Sequence, residues 1–341
     1  RYMLERGFKP TILSRFDVSY DRISDRPCLT VRDENGDLVG FKGRAWNDEQ
    51  FPRYCNTHEA PILMGDLTFK PISAVRVGDK VIGWEDGEET NGRWGVQKQQ
   101  VLAESIVEKI SVRHNIPVVR ITMESGRQIR CTEDHHWLIN RGQARRGGNK
   151  HVFFAPAKEG LYMTDVIDPK DCEFKRDGDL AAAMWLSGMF DGEGYADHRS
   201  IVIAQCRNHN PEVCERLEYV LNRLGFKWSY DKQKSGGSYR IKGSYREAIR
   251  MSNMCIPARR ERLVARVLGR AYWKKVDKII SIEPDGVDSV YSMQTSTGNY
   301  VAWGYASKNC ILGDTERGIA MYGQRYGFAP YDASKIVFGL H

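Results

Sequence analysis

Ser307-Lys308-Asn309-Cys310 closes a strand-patterned run that starts at Val290-Tyr291-Ser292-Met293 and passes through Thr297-Gly298-Asn299-Tyr300-Val301-Ala302. An Asn directly before a Cys is a chemical device when a second Cys lies far upstream. The Asn amide can attack its own main-chain carbonyl, and a thiol can accept an acyl group. Cys55 supplies the upstream thiol, opening Cys55-Asn56-Thr57-His58-Glu59-Ala60-Pro61-Ile62-Leu63-Met64. Lys70-Pro71-Ile72 and Val77-Gly78-Asp79-Lys80-Val81-Ile82-Gly83 follow. From Asp66 to Gly83 apolar and polar residues alternate as in short strands, with a turn at Gly78-Asp79. Val118–Thr122 and Arg127–Cys131 repeat the pattern around Ser125-Gly126, and residues 279–305 return to it. Thr132-Glu133-Asp134-His135-His136-Trp137 stands between these groups. Alternation along a strand turns His135 and His136 to opposite faces, so one of them enters a shared site.

The chain has 341 residues, enough for two or three domains, and 41% hydrophobic with 28% charged residues suits a globular fold. No apolar run reaches the roughly 18 residues of a membrane span, so no membrane partner is expected. There is no secretory signal, and Arg1 is not a start methionine, so a piece of a longer polypeptide is expected. Eight cysteines without a CxxC pair read as free thiols in a reducing cytoplasm. The net charge of +7 is uneven: residues 180–275 hold 18 Lys and Arg against 9 Asp and Glu. That local surplus is the footprint of a nucleic-acid surface, and double-stranded DNA is the expected partner.

Leu180-Ala181-Ala182-Ala183-Met184-Trp185-Leu186-Ser187-Gly188-Met189-Phe190-Asp191-Gly192-Glu193-Gly194 reads as a helix with glycines four apart, a face narrow enough for a second helix. Ile201–Cys206 and Tyr239–Lys242 are strand-like. Asn210-Pro211 opens a helix with Val213, Leu217, Val220, Leu221 and Leu224 on one face and Gly225 at its end. Leu263, Val264, Val267 and Leu268 mark a last helix.

Taken in order, the segments around Cys55, Thr132–His135 and Val290–Cys310 resemble an intein, a protein segment that excises itself and joins its flanks. The resemblance covers roughly 55–170 and 276–310 and implies a mainly β, horseshoe-shaped Hint fold. It also implies roles. Cys55 attacks the Tyr54 carbonyl to form a thioester, His135 protonates the leaving nitrogen, and Thr132 polarises the same bond. Cys310 takes the acyl group, Asn309 cyclises to release the segment, and an S-to-N shift joins Tyr54 to Cys310. No cofactor is needed. Two residues depart from the family pattern: Lys308 stands where His assists the Asn, and Ser292 where Asp couples the steps. Lys308 keeps hydrogen-bond donors, yet a charged ammonium is a poor base, so slow or condition-dependent splicing is expected, and cleavage of the ends alone is the rival outcome.

Leu186–Gly194 resembles the LAGLIDADG motif of homing endonucleases, which implies an inserted α+β domain. In that family the acid past the helix binds a divalent metal, taken here as Mg²⁺. Glu193 is the aligned acid, and Asp191 is either a second ligand or a cap. Arg199, Gln205, Arg207, Arg240 and Lys242 are the candidates for reading DNA. One motif copy implies a homodimer through this helix, and a domain that grips DNA without cutting is the rival reading. Outside the ends, Asp21-Arg22-Ile23 and Val39-Gly40-Phe41-Lys42-Gly43-Arg44 resemble α+β fragments of a bacterial or phage DNA primase. Lys335–Leu340 is similar to the lead-in of a Toprim domain. The expected boundaries are 1–54 and 310–341 for the host, 55–170 and 276–309 for the splicing domain, and 171–275 for the endonuclease.

Overall fold

The computed structural model describes residues 9–21, 26–32, 38–43, 55–92, 95–140, 152–196, 200–233, 236–270 and 275–309. The chain divides into two compact units, Arg1–Arg53 with Cys310–His341, and Tyr54–Asn309. Tyr54, Cys310, Arg199 and the Lys335–Leu340 stretch lie outside the described residues.

In the first unit, a short helix α1 (Pro10–Arg15) precedes β1 (Val18–Asp21), β2 (Arg26–Arg32) and β3 (Leu38–Gly43), which pair antiparallel in that order. Pro10 sits in the first helical turn, where its missing N–H costs nothing.

The second unit is built on a twelve-stranded sheet. Its early strands are β4 (Asn56–Thr57), β5 (Pro61–Leu63), β6 (Phe69–Pro71), β7 (Lys80–Gly92), β8 (Gly95–Met123) and β9 (Gln128–Cys131). β10 (His136–Asn140), β11 (Val152–Pro156) and β12 (Tyr162–Thr164) follow. After a long insertion, β17 (Val276–Thr295), β18 (Asn299–Ala302) and β19 (Tyr305–Lys308) complete the sheet. The turns expected at Gly78-Asp79 and Ser125-Gly126 are present, with Gly78 at φ +90° and Gly126 at φ +84°, a region that favours glycine. β8 and β9 pair around the second of these, Val119 opposite Cys131.

The insertion begins with α2 (Asp179–Glu193), then β13 (Gly194–Ala196), β14 (Ile201–Ala204), α3 (Pro211–Arg223), β15 (Trp228–Gln233) and β16 (Gly236–Ile241). Two further helices, α4 (Tyr245–Cys255) and α5 (Arg260–Val267), end it. Its four strands form their own sheet in the order β13-β14-β16-β15. α4 is absent from the sequence reading. Its signal was there: Ser244 caps the helix by accepting from Arg246 N at 3.3 Å, and Glu247 stands three residues on.

Strand alternation sends neighbouring side chains into two different cores. Ile62, Val81, Ile139, Tyr300, Ala302 and Tyr305 fill a core made by the large sheet alone. Their neighbours Leu63, Ile82, Leu138, Val301 and Ala306 fill a second core, shared with Leu186, Phe190, Leu217 and Ile249 of the insertion. Both faces being covered, the strands read as apolar pairs rather than as a strict alternation. Each fully buried Leu contributes about 2 kcal/mol, so the shared core fastens the insertion firmly. The expected boundary between splicing and endonuclease domains is therefore a boundary in the chain, and not in the packing. α4 adds polar fastening: Asn253 donates to Leu67 O and accepts from Phe69 N, and Ser252 donates to Asp66 O.

Candidate functional site

Cys55 is completely buried at the start of β4. That strand lies between β17 and β9, with Asn56 opposite both Tyr291 and Cys131. Asn56 also donates from Nδ2 to the Tyr300 hydroxyl at 3.0 Å, across 244 positions of sequence. Thr132, one residue past β9, grips Cys55 from two sides. Thr132 N donates to Cys55 O at 3.0 Å, and Cys55 N donates to Thr132 Oγ1 at 3.1 Å. The Thr132 hydroxyl is also 3.4 Å from Cys55 O.

A tight turn follows, with His135 N donating to Thr132 O at 3.0 Å, and brings the imidazole back under the same strands. His135 is fully buried, its ring edge-on to Trp137 at 4.4 Å, with Nε2 2.9 Å from Ser307 Oγ. His136 faces the other way, as strand alternation requires. It is half-buried, and burial followed by the Lys308 charge lowers it to about 4. Lys308 Nζ lies 5.3 Å from the centre of the Phe154 ring. The two histidines thus mirror the two neighbouring residues of β19: His135 meets Ser307, and His136 shares a face with Lys308.

Asn309, 4% exposed, follows directly on β19. Its main-chain N donates to Gly298 O at 3.1 Å. Its amide is held by one residue, Thr295: Nδ2 donates to Thr295 O at 2.9 Å, and Thr295 Oγ1 donates to Oδ1 at 3.2 Å. The expected partner of this amide, Lys308, has its ammonium over Phe154 instead, because consecutive strand residues point to opposite faces. Ser292 is buried on β17 opposite Ser111.

A buried charge cluster braces the same strands. Arg127 NH2 lies 3.0 Å from Asp165 and 3.2 Å from Asp277, and its guanidinium stacks on Tyr305 at 4.1 Å. Arg246 and Lys275 close on Asp165 from the insertion side, at 3.5 and 3.0 Å. Sequence reading missed this cluster, since charged residues in strands ordinarily mark solvated faces.

None of the seven described cysteines is in a disulfide. Burial pushes the thiols of Cys131, Cys172 and Cys255 up to about 12, which withdraws them as thiolates near neutral pH.

In the insertion, Glu193 ends α2, exposed and with no hydrogen-bond or ion-pair partner among the described residues. Asp191 is engaged within the fold. Both its oxygens accept main-chain N–H groups, from Arg259 at 2.9 Å and Ala258 at 3.0 Å, just ahead of α5. That is a cap. Among the described residues no group of three metal-binding side chains includes Glu193. The one such group, His58, Glu59 and Asp288, has the Arg130 guanidinium across its two carboxylates at 2.9 and 2.7 Å.

The DNA candidates are partly engaged within the fold. Arg207 pairs with Glu218 at 2.8 Å over Tyr230, Arg240 pairs with Asp231 at 3.1 Å, and Gln205 accepts from Asn210. Lys242 is exposed just past β16. One side of α2 lies open: Leu180 and Met184 are 57% and 67% exposed, and a Cβ at Gly188 or Gly192 would meet nothing within 4 Å. No described helix is long and apolar enough to cross a membrane.

Two families match parts of the chain. Residues 9–65 match the DNA primase catalytic core, N-terminal domain, and residues 181–262 match the LAGLIDADG-like domain. The first match runs past Cys55 into the second unit. No curated protein matches. Among solved structures, the chain is similar to the gp41-1 intein at 11% identity, with 75% of this chain and 98% of that one covered and a TM-score of 0.31. It is also similar to a DnaB intein from Synechocystis sp. PCC 6803, at 11% identity, 75% and 99% coverage and a TM-score of 0.30. The two family matches thus fall on separate stretches, residues 9–65 and 181–262, the second lying wholly within the strand-rich unit.

Proposed function

We propose that Cys55–Asn309 is a self-splicing intein in a DNA primase host, and that its insertion is a DNA endonuclease that works as a pair. The observation that carries the splicing reading is the double grip of Thr132 on Cys55, with His135 one turn away and bonded to the strand that ends at Asn309.

Thr132 Oγ1 accepts from the N–H of the scissile Tyr54–Cys55 peptide, and its main-chain N–H holds the Cys55 carbonyl one bond further on. The grip fixes the leaving nitrogen in place and sets a hydroxyl beside it, the positioning an N-to-S acyl shift needs. The Cys55 thiol would attack the Tyr54 carbonyl, and the proton it gives up would be matched by one delivered to the Cys55 nitrogen. His135 is the group suited to deliver it. Transfer to Cys310, cyclisation of Asn309 and an S-to-N shift would complete excision. The division of the chain after Arg53 and after Asn309 supports these ends.

For the endonuclease, the open side of α2 supports pairing of two copies, each bringing one Glu193. Glu193 of both copies would hold Mg²⁺, which supplies Lewis-acid charge at the scissile phosphates when bound. Arg207, Arg240, Lys242 and Arg199 would grip the duplex, the first two trading internal acids for phosphate or base edges.

Single and double variants test the reading. Cys55→Ala should stop release of the N-terminal flank, Asn309→Ala should stop release of the C-terminal flank, and the pair should leave the chain whole. Release of flanks without their joining would indicate end cleavage only. For the insertion, Mg²⁺-dependent cutting of the uninterrupted host gene should vanish in Glu193→Gln, and binding without any cut in the parent would contradict the nuclease.

A further inference from the structure

Resting on the splicing reading, we propose that Thr295 is a catalytic residue for cyclisation of Asn309, acting where Lys308 was expected to act. Three requirements define that step. The Asn309 Nδ2 must attack the Asn309 main-chain carbonyl carbon, Nδ2 must lose a proton, and the nitrogen of Cys310 must gain one as its bond to that carbon breaks. The products are a C-terminal succinimide and a free amine, with no other reactant.

An amide nitrogen is a poor nucleophile because its lone pair is shared with the oxygen. Losing a proton makes it a good one, and the charge then resides largely on Oδ1. The Thr295 hydroxyl donates to Oδ1 at 3.2 Å, which lowers the cost of that charge inside a buried site. The Thr295 carbonyl accepts from Nδ2 at 2.9 Å, so the amide cannot flip without setting oxygen against oxygen. Both contacts fall on the reacting side chain, and Thr295 is 2% exposed.

The grip is preorganised by its surroundings. Asn299 is tied to Trp84 by bonds of 2.7 and 2.9 Å, and Thr297 donates to Ser105 at 2.8 Å, which fixes the 295–299 turn from both sides. Gly83 permits this approach, since a Cβ there would lie 2.6 Å from Thr297 Oγ1. The Thr295 hydroxyl also reaches Asn299 O at 2.8 Å, so its single proton is shared. That sharing sets the expected effect near the lower end of what loss of one such donor costs.

Cys55→Ala isolates the C-terminal step, read as release of the segment that begins at Cys310 and as a succinimide on Asn309 by mass spectrometry. In that background Thr295→Val should slow release about a hundredfold, and Thr295→Ser should restore most of the rate. Thiol-induced cleavage at Tyr54–Cys55, measured in an Asn309→Ala background, should not change in Thr295→Val. The assignment is overturned by release at the parent rate in Thr295→Val. It is equally overturned if that variant loses both cleavages in proportion, which is a folding defect, or if Lys308→Gln is slowed and Thr295→Val is not. If the Cys55→Ala chain releases nothing while thiol still cleaves Tyr54–Cys55 in the Asn309→Ala chain, Thr295 has no step to assist and its role falls alone. If neither end is cleaved, the splicing reading falls first.

Discussion

His135 Nε2 and Ser307 Oγ lie 2.9 Å apart, both side chains fully buried, and join the turn beside Cys55 to the strand that ends at Asn309. In a neutral imidazole one nitrogen donates and the other accepts. A Ser307 hydroxyl that donates to Nε2 leaves the ring proton on Nδ1, and one that accepts from Nε2 leaves it on Nε2, so this contact couples the tautomer to the orientation of the Ser307 hydroxyl. Ser307→Ala should slow thiol-induced cleavage at Tyr54–Cys55 by about fivefold, the worth of one hydrogen bond of about 1 kcal/mol. Nitrogen NMR of His135 should show mixed tautomers in the variant and one in the parent. An unchanged rate with an unchanged tautomer would remove Ser307 from the account.

Thr132→Val removes the acceptor for Cys55 N while keeping the shape of the side chain. A buried N–H left without that bond costs about 1–3 kcal/mol, so the variant should lose both stability and the first cleavage. Denaturant midpoints and single-turnover cleavage, measured together, check this. Thr132→Ser should recover most of both.

His136 gives the unit an acid-sensitive element. Burial, then the Lys308 charge, holds it at about 4 in the folded chain, below its ordinary value of 6.5. The unfolded chain therefore binds the proton first as pH falls. Destabilisation should begin near pH 6.5 and be complete below about pH 4. Melting temperatures across that window should fall less steeply in His136→Asn than in the parent, and parallel curves would contradict the assignment.

Asp165 ties the insertion to the sheet. Burial raises its carboxyl, but Arg246, Arg127 and Lys275 outweigh burial and hold it below the ordinary range. Asp165→Ala removes one of the carboxylates around buried Arg127 and leaves Asp277 and Asp168 in place, so it should destabilise the unit by less than the roughly 3–5 kcal/mol of a fully broken buried pair. Because Arg246 belongs to α4 and Tyr305 to β19, splicing and DNA binding should fail together on heating. Two separate transitions, with only one moved, would contradict a shared core.

Leu180 and Met184 lie on the open side of α2. Met184→Glu should abolish pairing of copies and DNA cutting while leaving the melting temperature within a few degrees, since the parent side chain is exposed. Sedimentation and cleavage assays on the same preparations check it. Cutting by a monomeric variant would remove the paired site.

Much of this was legible because the chemistry-bearing residues sit at ends of elements with strong signals. Cys55 opens a strand, Thr132 and His135 flank a turn, and Asn210-Pro211 starts α3, which runs Pro211–Arg223. What escaped reading was polar and short. Ser307 and Thr295 lie in strands where Ser and Thr carry no distinctive pattern, and only register brings them to His135 and Asn309. Arg127 and Asp165 looked like solvated charges until tertiary packing buried them against each other. Lys308 was placed by its neighbour in sequence, and strand alternation put it on the other face.

The intact mass of the purified chain tests the central claim most directly. Splicing predicts two species, the excised segment Cys55–Asn309 and a flank in which Tyr54 is joined to Cys310, both absent from the Cys55→Ala, Asn309→Ala double variant. A parent chain that keeps its full mass after prolonged incubation with thiol would contradict it.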